Sequence, residues 1–446
     1  MAELRRPGAG LAGMRRRIPD DRAKEGLVVN SASTSSVVAP AIPPAFGAFD
    51  PAPERRADPY PSYRALREAD PFYRLPLGAQ QVTILTRYQD CVAVLQGAEW
   101  GRSEEGTNAW RPSDALDGGL RSFLRMNPPN HTRLRGLVSK AFTPRVISGL
   151  RPQITALVDS LIDAAQAAGE VDLIDVFARP LPLRLICELL GVPARDEETF
   201  RGWAAALTRG LDPDHLLTPA ELAQRVDATR EFDAYFTDLI TDRRNRPTDD
   251  LLSNLVAVRE QGDRLTEAEL LELCALLLVA GYETTVNLIG NAVLALVRNP
   301  DQLATVHADL DLVPAVIDET LRYDPPIQFI GRLALQDTEV SGRAFRSGDV
   351  VVTLLAAAQR DPDAFGDPDR FDITRYGGPA PALRHLGFGL GIHYCLGAPL
   401  ARLETEIALR ALIRRVPRLA LSTDQLAYRA HLVVRGLQTL PVRLAP

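Results

Sequence analysis

The stretch from Thr266 to Pro300 constrains the fold most. Thr266 and Glu269 form a capping box at a helix start, and Asn299-Pro300 forms a stop signal. About 30 residues lie between them, enough for roughly 45 Å of helix, which crosses a whole domain. The first half is an apolar run from Leu270 to Val279, and the middle reads Ala280-Gly281-Tyr282-Glu283-Thr284-Thr285. An acid and a hydroxyl in the middle of a buried helix are costly unless they are used. The plain alternative is that Thr284 bonds back to its i−4 carbonyl while Glu283 reaches a surface.

Residues 130–300 are mostly helical by period, with apolar residues at i, i+3 and i+4 in Ile154–Ala168 and Leu222–Arg243. Pro61–Ala69 and Tyr88–Leu95 predict two more helices. Gln81–Thr86, Glu339–Phe345, Val350–Leu355, Leu432–Arg435 and Leu440–Leu444 predict strands. Residues 97–122 lack periodicity and predict a long loop, a feature often tied to function. The fold class is mainly α, helix-rich with small accessory β-sheets. Residues 46–446 read as one domain. Residues 1–45 are Arg-rich, then Ser/Thr/Ala/Pro-rich, and predict a disordered extension.

Composition removes several function classes. Lys plus Arg number 51 against 57 Asp plus Glu, a net charge of −6, which is the wrong sign for a nucleic-acid binder. No stretch reaches about 18 apolar residues, so no membrane anchor is expected. Arg5, Arg6 and Arg15 to Arg17 are followed by no apolar h-region, so the start does not read as a secretory signal. The four cysteines, Cys91, Cys187, Cys274 and Cys395, include no C-x-x-C pair, which excludes zinc-finger and thioredoxin motifs. Sparse, scattered cysteines suit a reducing cytoplasm.

The chemistry concentrates in His385–Arg402, which reads H-L-G-F-G-L-G-I-H-Y-C-L-G-A-P-L-A-R. Leu396, Leu400, Leu403, Ile407 and Leu412 line one face of a helix that follows. Cys395 therefore sits at a helix N-terminus, where free N–H groups favour a thiolate. It could be a nucleophile, a metal ligand or a small core residue. His393 is only two residues away, a poor spacing for a nucleophile–base pair. Gly389, Gly391 and Gly397 allow close backbone approach, and their spacing fits neither G-x-G-x-x-G nor a P-loop.

Phe388-Gly389-x-Gly391-x-His393-x-Cys395-x-Gly397, followed by Leu400-Ala401-Arg402, resembles the heme-binding loop of the cytochrome P-450 family, with no departure at the defining positions. The resemblance implies heme b with Cys395 as the thiolate ligand of its iron, a ligand that favours O–O cleavage. It implies that Phe388 shields the sulfur, that Gly397 belongs to the heme loop and that His393 hydrogen-bonds a propionate. It makes 266–299 the oxygen-activating helix. There Gly281 thins the wall above the iron, Thr284 hydrogen-bonds dioxygen and Glu283 feeds a proton relay.

Three further segments arrive in the family's order. His131 and Arg135 are i and i+4 on a helix after Pro128-Pro129, a spacing suited to a pair of carboxylates such as propionates. Glu319 and Arg322 are i and i+3 and resemble the family's structural pair. Its third member is Arg370 or Arg375, which the sequence does not separate. Arg332 resembles another propionate ligand. The likeness spans roughly 46–446 and points to soluble bacterial members, which use dioxygen and a ferredoxin-type donor with its NAD(P)H reductase. Arg133, Lys140 and Arg402 are candidate docking charges.

By family position, the pocket would be lined by Trp100, Trp110, Leu211, Val279, Ala280, Ile327, Phe329 and Leu432, with 203–217 as a lid. Such a lining suits a hydrophobic small molecule, a secondary metabolite above all. The leading reading is a monooxygenase in natural-product biosynthesis, cytoplasmic, with no nucleic acid partner. The alternatives keep the heme but couple rings, form C–C or C–N bonds, or use peroxide. A heme sensor and a helical thiol enzyme are the readings from other classes.

Overall fold

A computed structural model describes residues 56–77, 80–102, 123–140, 142–212, 214, 217–258, 263–378 and 381–445. The extension 1–45 and Trp110 lie outside them. The longer helices are α1 (Tyr60–Ala69), α2 (Tyr88–Gln96), α3 (Asn130–Ser139), α4 (Arg151–Ala168), α5 (Pro180–Leu189), α6 (Glu197–Arg209), α7 (Pro219–Asn245), α8 (Glu267–Arg298), α9 (Val313–Tyr323) and α10 (Ala398–Arg415). The strands are β1 (Phe72–Leu77), β2 (Gln80–Leu85), β3 (Trp100–Gly101), β4 (Glu170–Asp172), β5 (Ile330–Ala334), β6 (Thr338–Val340), β7 (Arg343–Phe345), β8 (Val350–Thr353), β9 (Arg418–Leu421) and β10 (Pro441–Ala445).

Helix α8 is the axis of the fold. Thr266 accepts from the Glu269 amide and Glu269 reaches back to the Thr266 amide, which completes the expected capping box. Its 32 residues give about 48 Å of helix. By length and composition α8 could cross a membrane, yet it is mostly buried among α5, α6, α7, α9 and α10. Leu270, Leu278, Val286, Ile289 and Val293 are all but inaccessible. Each such side chain contributes about 1.5–3 kcal/mol. A strand-rich fold has no place for a rod of this length, so the helical class follows.

The sheets frame one side. The five-stranded sheet has the order β1-β2-β8-β5-β3, with β2 and β8 parallel and the other neighbours antiparallel. The second sheet is β4-β10-β9, and β6-β7 form a two-stranded ribbon. Sequence reasoning missed β1 because Pro76 interrupts it. Pro is tolerated there because β1 is a sheet edge. The predicted strand Glu339–Phe345 is a hairpin instead, turning at Ser341 (φ 47°) and Gly342 (φ 80°). Leu432–Arg435 forms no strand but makes a single bridge, Val434 to Ile327. Trp100 is also corrected. Its place in β3 opposite Ala334 puts it in the core, edge-on to Phe345 at 5.3 Å, and not in a pocket.

Candidate active site

Glycines fold the Cys395 loop. Gly389 and Gly391 hold φ of 68° and 69°, where other residues are strained. A Cβ on Gly391 would stand 2.5 Å from the Leu95 carbonyl oxygen at the end of α2, so the close approach also demands glycine. The Cys395 amide donates to the Phe388 carbonyl at 2.9 Å, which closes the loop three residues before α10 begins. A Cβ on Gly397 would lie 3.9 Å from Cys395 Sγ. Cys395 is the exposed cysteine, and Cys91, Cys187 and Cys274 are buried. The helix-terminus effect expected for its thiol is present but outweighed. Surrounding protein pushes the thiol up, while the amides of Gly397 and Ala398 and the charge of Arg135 pull it back. A metal bound at this sulfur therefore displaces a proton.

Buried charge braces the loop from behind. Arg322 forks onto both oxygens of Glu319 at 2.7 Å, with both side chains fully buried. Its remaining donors reach the carbonyls of Gln359, Pro368 and Arg370 at 3.1, 2.7 and 2.9 Å. The third member is Arg375, whose Nε lies 3.6 Å from Glu319. Arg370 enters only through its main-chain carbonyl, so its side chain is not part of the triad. Phe388 lies under the Arg402 guanidinium at 5.2 Å, and Arg402 also holds Asp318 at 2.5 Å. Arg133 pairs with Asp263 at 3.0 Å and with Glu269. Arg133 and Arg402, two of the proposed docking charges, are therefore engaged within the chain, as is Lys140.

A cluster of cations lies beside the loop. The rings of His131 and His393 are 4.3 Å apart, and neither nitrogen of buried His131 has a partner among the described residues. Arg135 donates to the Tyr394 carbonyl at 2.7 Å. Arg332, on β5, is buried and its pKa falls to about 10 as a result. The sequence reading missed Arg102. Pairing of Gly101 with Leu333 brings Arg102 beside Arg332, and both guanidiniums turn to the Gly331 carbonyl. Burial and the charges of Arg332 and Arg125 push Arg102 well down. His393 falls to about 2, from burial first and then the charge of Arg102. No carboxylate pairs with Arg102, Arg135 or Arg332 among the described residues. Three guanidiniums and two neutral imidazoles could hold a ligand with two carboxylates, and heme b fits that donor set.

The middle of α8 carries the remaining features. Leu277, Ala280, Gly281 and Thr284 form one stripe at i, i+3, i+4 and i+7 that is open, while Leu278, Val279, Tyr282 and Glu283 are buried. A Cβ on Gly281 would meet only Ile186 Cδ1, at 4.0 Å, so space opens there. The Thr284 hydroxyl donates to the Ala280 carbonyl at 2.5 Å, the back-bonding named as the plain alternative. Glu283 does not reach a surface. It pairs with Arg429 at 2.7 Å and lies 3.5 Å from Asn287 Nδ2. Burial raises its pKa against the pull of Arg429 and Arg179.

The predicted pocket lining divides. Leu211, Ile327 and Leu432 are partly buried, and Ala280 is open. Val279 and Phe329 are core residues, which corrects their placement in the lining. Family position does not give burial, which depends on which neighbours pack against each side chain.

The Cytochrome P450 family model matches residues 43–417. The chain is 42% identical over 396 residues to the cytochrome P450 monooxygenase PikC of Streptomyces venezuelae, covering 87% of this chain and 91% of that protein. It is 41% identical over 398 residues to the vitamin D(3) 25-hydroxylase of Pseudonocardia autotrophica, covering 87% and 94%. A crystal structure of Mycobacterium smegmatis CYP164A2 superposes with a TM-score of 0.80 at 44% identity, covering 89% of this chain and 98% of that one. With the thiolate loop, the braced Glu–Arg pair and the cationic cluster in place, the chain belongs to the cytochrome P450 family and is a heme-thiolate monooxygenase.

Proposed function

We propose that this monooxygenase inserts one atom of dioxygen into a C–H or C=C bond of a hydrophobic natural product, as a tailoring step in secondary metabolism. The observation that carries the reading is the open stripe of Leu277, Ala280, Gly281 and Thr284 in the middle of α8, flanked by buried Leu278, Val279, Tyr282 and Glu283. Apolar side chains border a hydroxyl there, which suits an apolar substrate oriented by few polar handles. Leu211, Ile327 and Leu432 supply further partly buried apolar surface. The Pseudonocardia relative is a vitamin D(3) 25-hydroxylase, which supports an apolar substrate here.

Heme b, when bound, supplies the redox chemistry that activates dioxygen. Cys395 would hold its iron through Sγ. His131, His393, Arg135 and Arg332, with Arg102, would hold its propionates by charge-assisted hydrogen bonds. Gly281 would leave room on the open side of α8. Thr284 keeps a hydroxyl poised between the Ala280 carbonyl and the open side of α8. Glu283 passes protons toward that hydroxyl. Electrons come from a ferredoxin-type protein with its NAD(P)H reductase, in the cytoplasm.

The test is the absorption spectrum of the reduced protein under carbon monoxide, with Cys395→Ser alongside. A Soret band at the long-wavelength position of a thiolate complex, lost in the variant, is expected. A histidine-type band unchanged by the substitution would refute the ligand assignment. Substrates are then found by spin-state shift, and product made under labelled dioxygen carries one labelled atom. Product without label would indicate coupling or peroxide chemistry instead.

A further inference from the structure

The C-terminal segment 427–438 forms a hairpin that touches three parts of the site. Arg429 N–H donates to the Gly436 carbonyl at 3.1 Å, and Gln438 N–H donates to the Ala427 carbonyl at 2.8 Å. Its tip reaches the turn after α6, where Leu432 N–H and Val433 N–H both donate to Asp212 Oδ1 at 2.9 Å. Its returning arm lies against α8. A Cβ on Gly436 would stand 1.9 Å from Asn287 Oδ1, so only glycine permits this contact. Its outgoing arm places Arg429 on Glu283. A third tie runs from Gln328 N–H to the Val433 carbonyl at 3.0 Å.

Neighbouring helical residues diverge by about 100°, so Glu283 and Thr284 do not aim at one point. Glu283 is turned toward the hairpin and Thr284 toward the open stripe. The groups around Glu283 are Arg429 from the hairpin, Arg179 from the segment before α5, and Tyr282 and Asn287 from α8. Of these, Arg429 is in direct contact. While the hairpin is seated, a carboxyl that swings toward Thr284 abandons a cation that is itself mostly buried. When the hairpin follows the Asp212 turn away from α8, that penalty is lifted.

We propose that Arg429 is the positioning residue for Glu283, and that its hairpin transmits the position of the Asp212 turn to that carboxyl. The inference rests on the reading of Glu283 as the proton carrier. It makes the relay responsive to the turn after α6 that carries Asp212.

The test follows the Glu283 carboxyl directly, by infrared titration of the holoenzyme, with the band assigned by its loss in Glu283→Gln. In Arg429→Gln the midpoint rises by at least one pH unit, and Arg429→Lys gives a smaller rise. Asp212→Ala moves the midpoint in the same direction. An unchanged midpoint in both Arg429 variants overturns the positioning role, and an unchanged midpoint in Asp212→Ala overturns the transmission. If Arg429→Gln fails to fold, the Lys variant carries the first arm. A second readout is NADPH oxidation without substrate, driven by a [2Fe–2S] ferredoxin and its reductase. Water formation consumes two NADPH per dioxygen and peroxide one. Arg429→Gln shifts the pH profile of that ratio. A shifted midpoint with an unmoved ratio in both Arg429→Gln and Glu283→Gln refutes Glu283 as proton carrier, not Arg429's hold on it.

Discussion

Arg102→Gln should stabilise the heme-free protein and weaken its grip on heme. Arg102 and Arg332 place Nη1 atoms 3.5 and 3.0 Å from the one Gly331 oxygen, so those nitrogens lie within 6.5 Å of each other. At an effective dielectric of about 20, two unit charges at that distance repel by about 2.5 kcal/mol. No carboxylate offsets this among the described residues, and the Arg102 Nε is buried without a partner. Replacing Arg102 removes the repulsion, so the heme-free form should gain about 2 kcal/mol in urea unfolding. The heme-bound form loses a hydrogen bond to a charged group, worth about 1.5–3 kcal/mol. Both effects oppose binding, and together they predict a loss of heme affinity of roughly 300- to 4,000-fold, since 1.4 kcal/mol is tenfold. Heme transfer to apomyoglobin measures the loss. Raising salt should shrink the gain in the heme-free form. A variant less stable without heme, and unchanged in heme transfer, would refute the argument and make Arg102 a packing residue.

Glu319→Gln leaves Arg322 buried without its counter-charge, and should cost about 3–5 kcal/mol in urea unfolding. A cost below about 1 kcal/mol would contradict the buried geometry. Gly391→Ala must adopt φ of 69° and meets the Leu95 carbonyl, so it should lose at least about 1–2 kcal/mol and shed heme on heating. Glu404, on α10, is buried with Oε2 unpartnered, and burial raises its pKa from 4.5 to about 8. The folded state then binds a proton that the unfolded state has released. Stability should fall by about 1.4 kcal/mol per pH unit between about 4.5 and 8, fully present only below that window. Glu404→Gln should flatten that slope in thermal melts taken across the window.

The periodic and motif-bearing parts of the fold are legible in the sequence, and the pairwise parts are not. The α8 capping box is legible because Thr266 and Glu269 act on each other's amides three residues apart. The thiolate loop is legible because Gly391 answers a local demand, a positive φ under a neighbouring carbonyl. The choice between Arg370 and Arg375 is not, since it depends on which side chain reaches Glu319 across the fold. Trp100 carries the same lesson from the other side: its strand partner Ala334 is far along the chain, and only that pairing makes it core. Arg102 and Arg429 have no motif at all. Each acquires its role from one long-range neighbour, Arg332 in one case and Glu283 in the other. At Arg102, charge that is buried and has no carboxylate among the described residues identifies what a motif search overlooks. A guanidinium without a carboxylate is either a cost the fold bears for nothing, or half of an interaction completed by a ligand. At Arg102 the shared carbonyl, the orphaned imidazole of His131 and the thiolate loop favour the second, because a single ligand with two carboxylates and a metal answers all three.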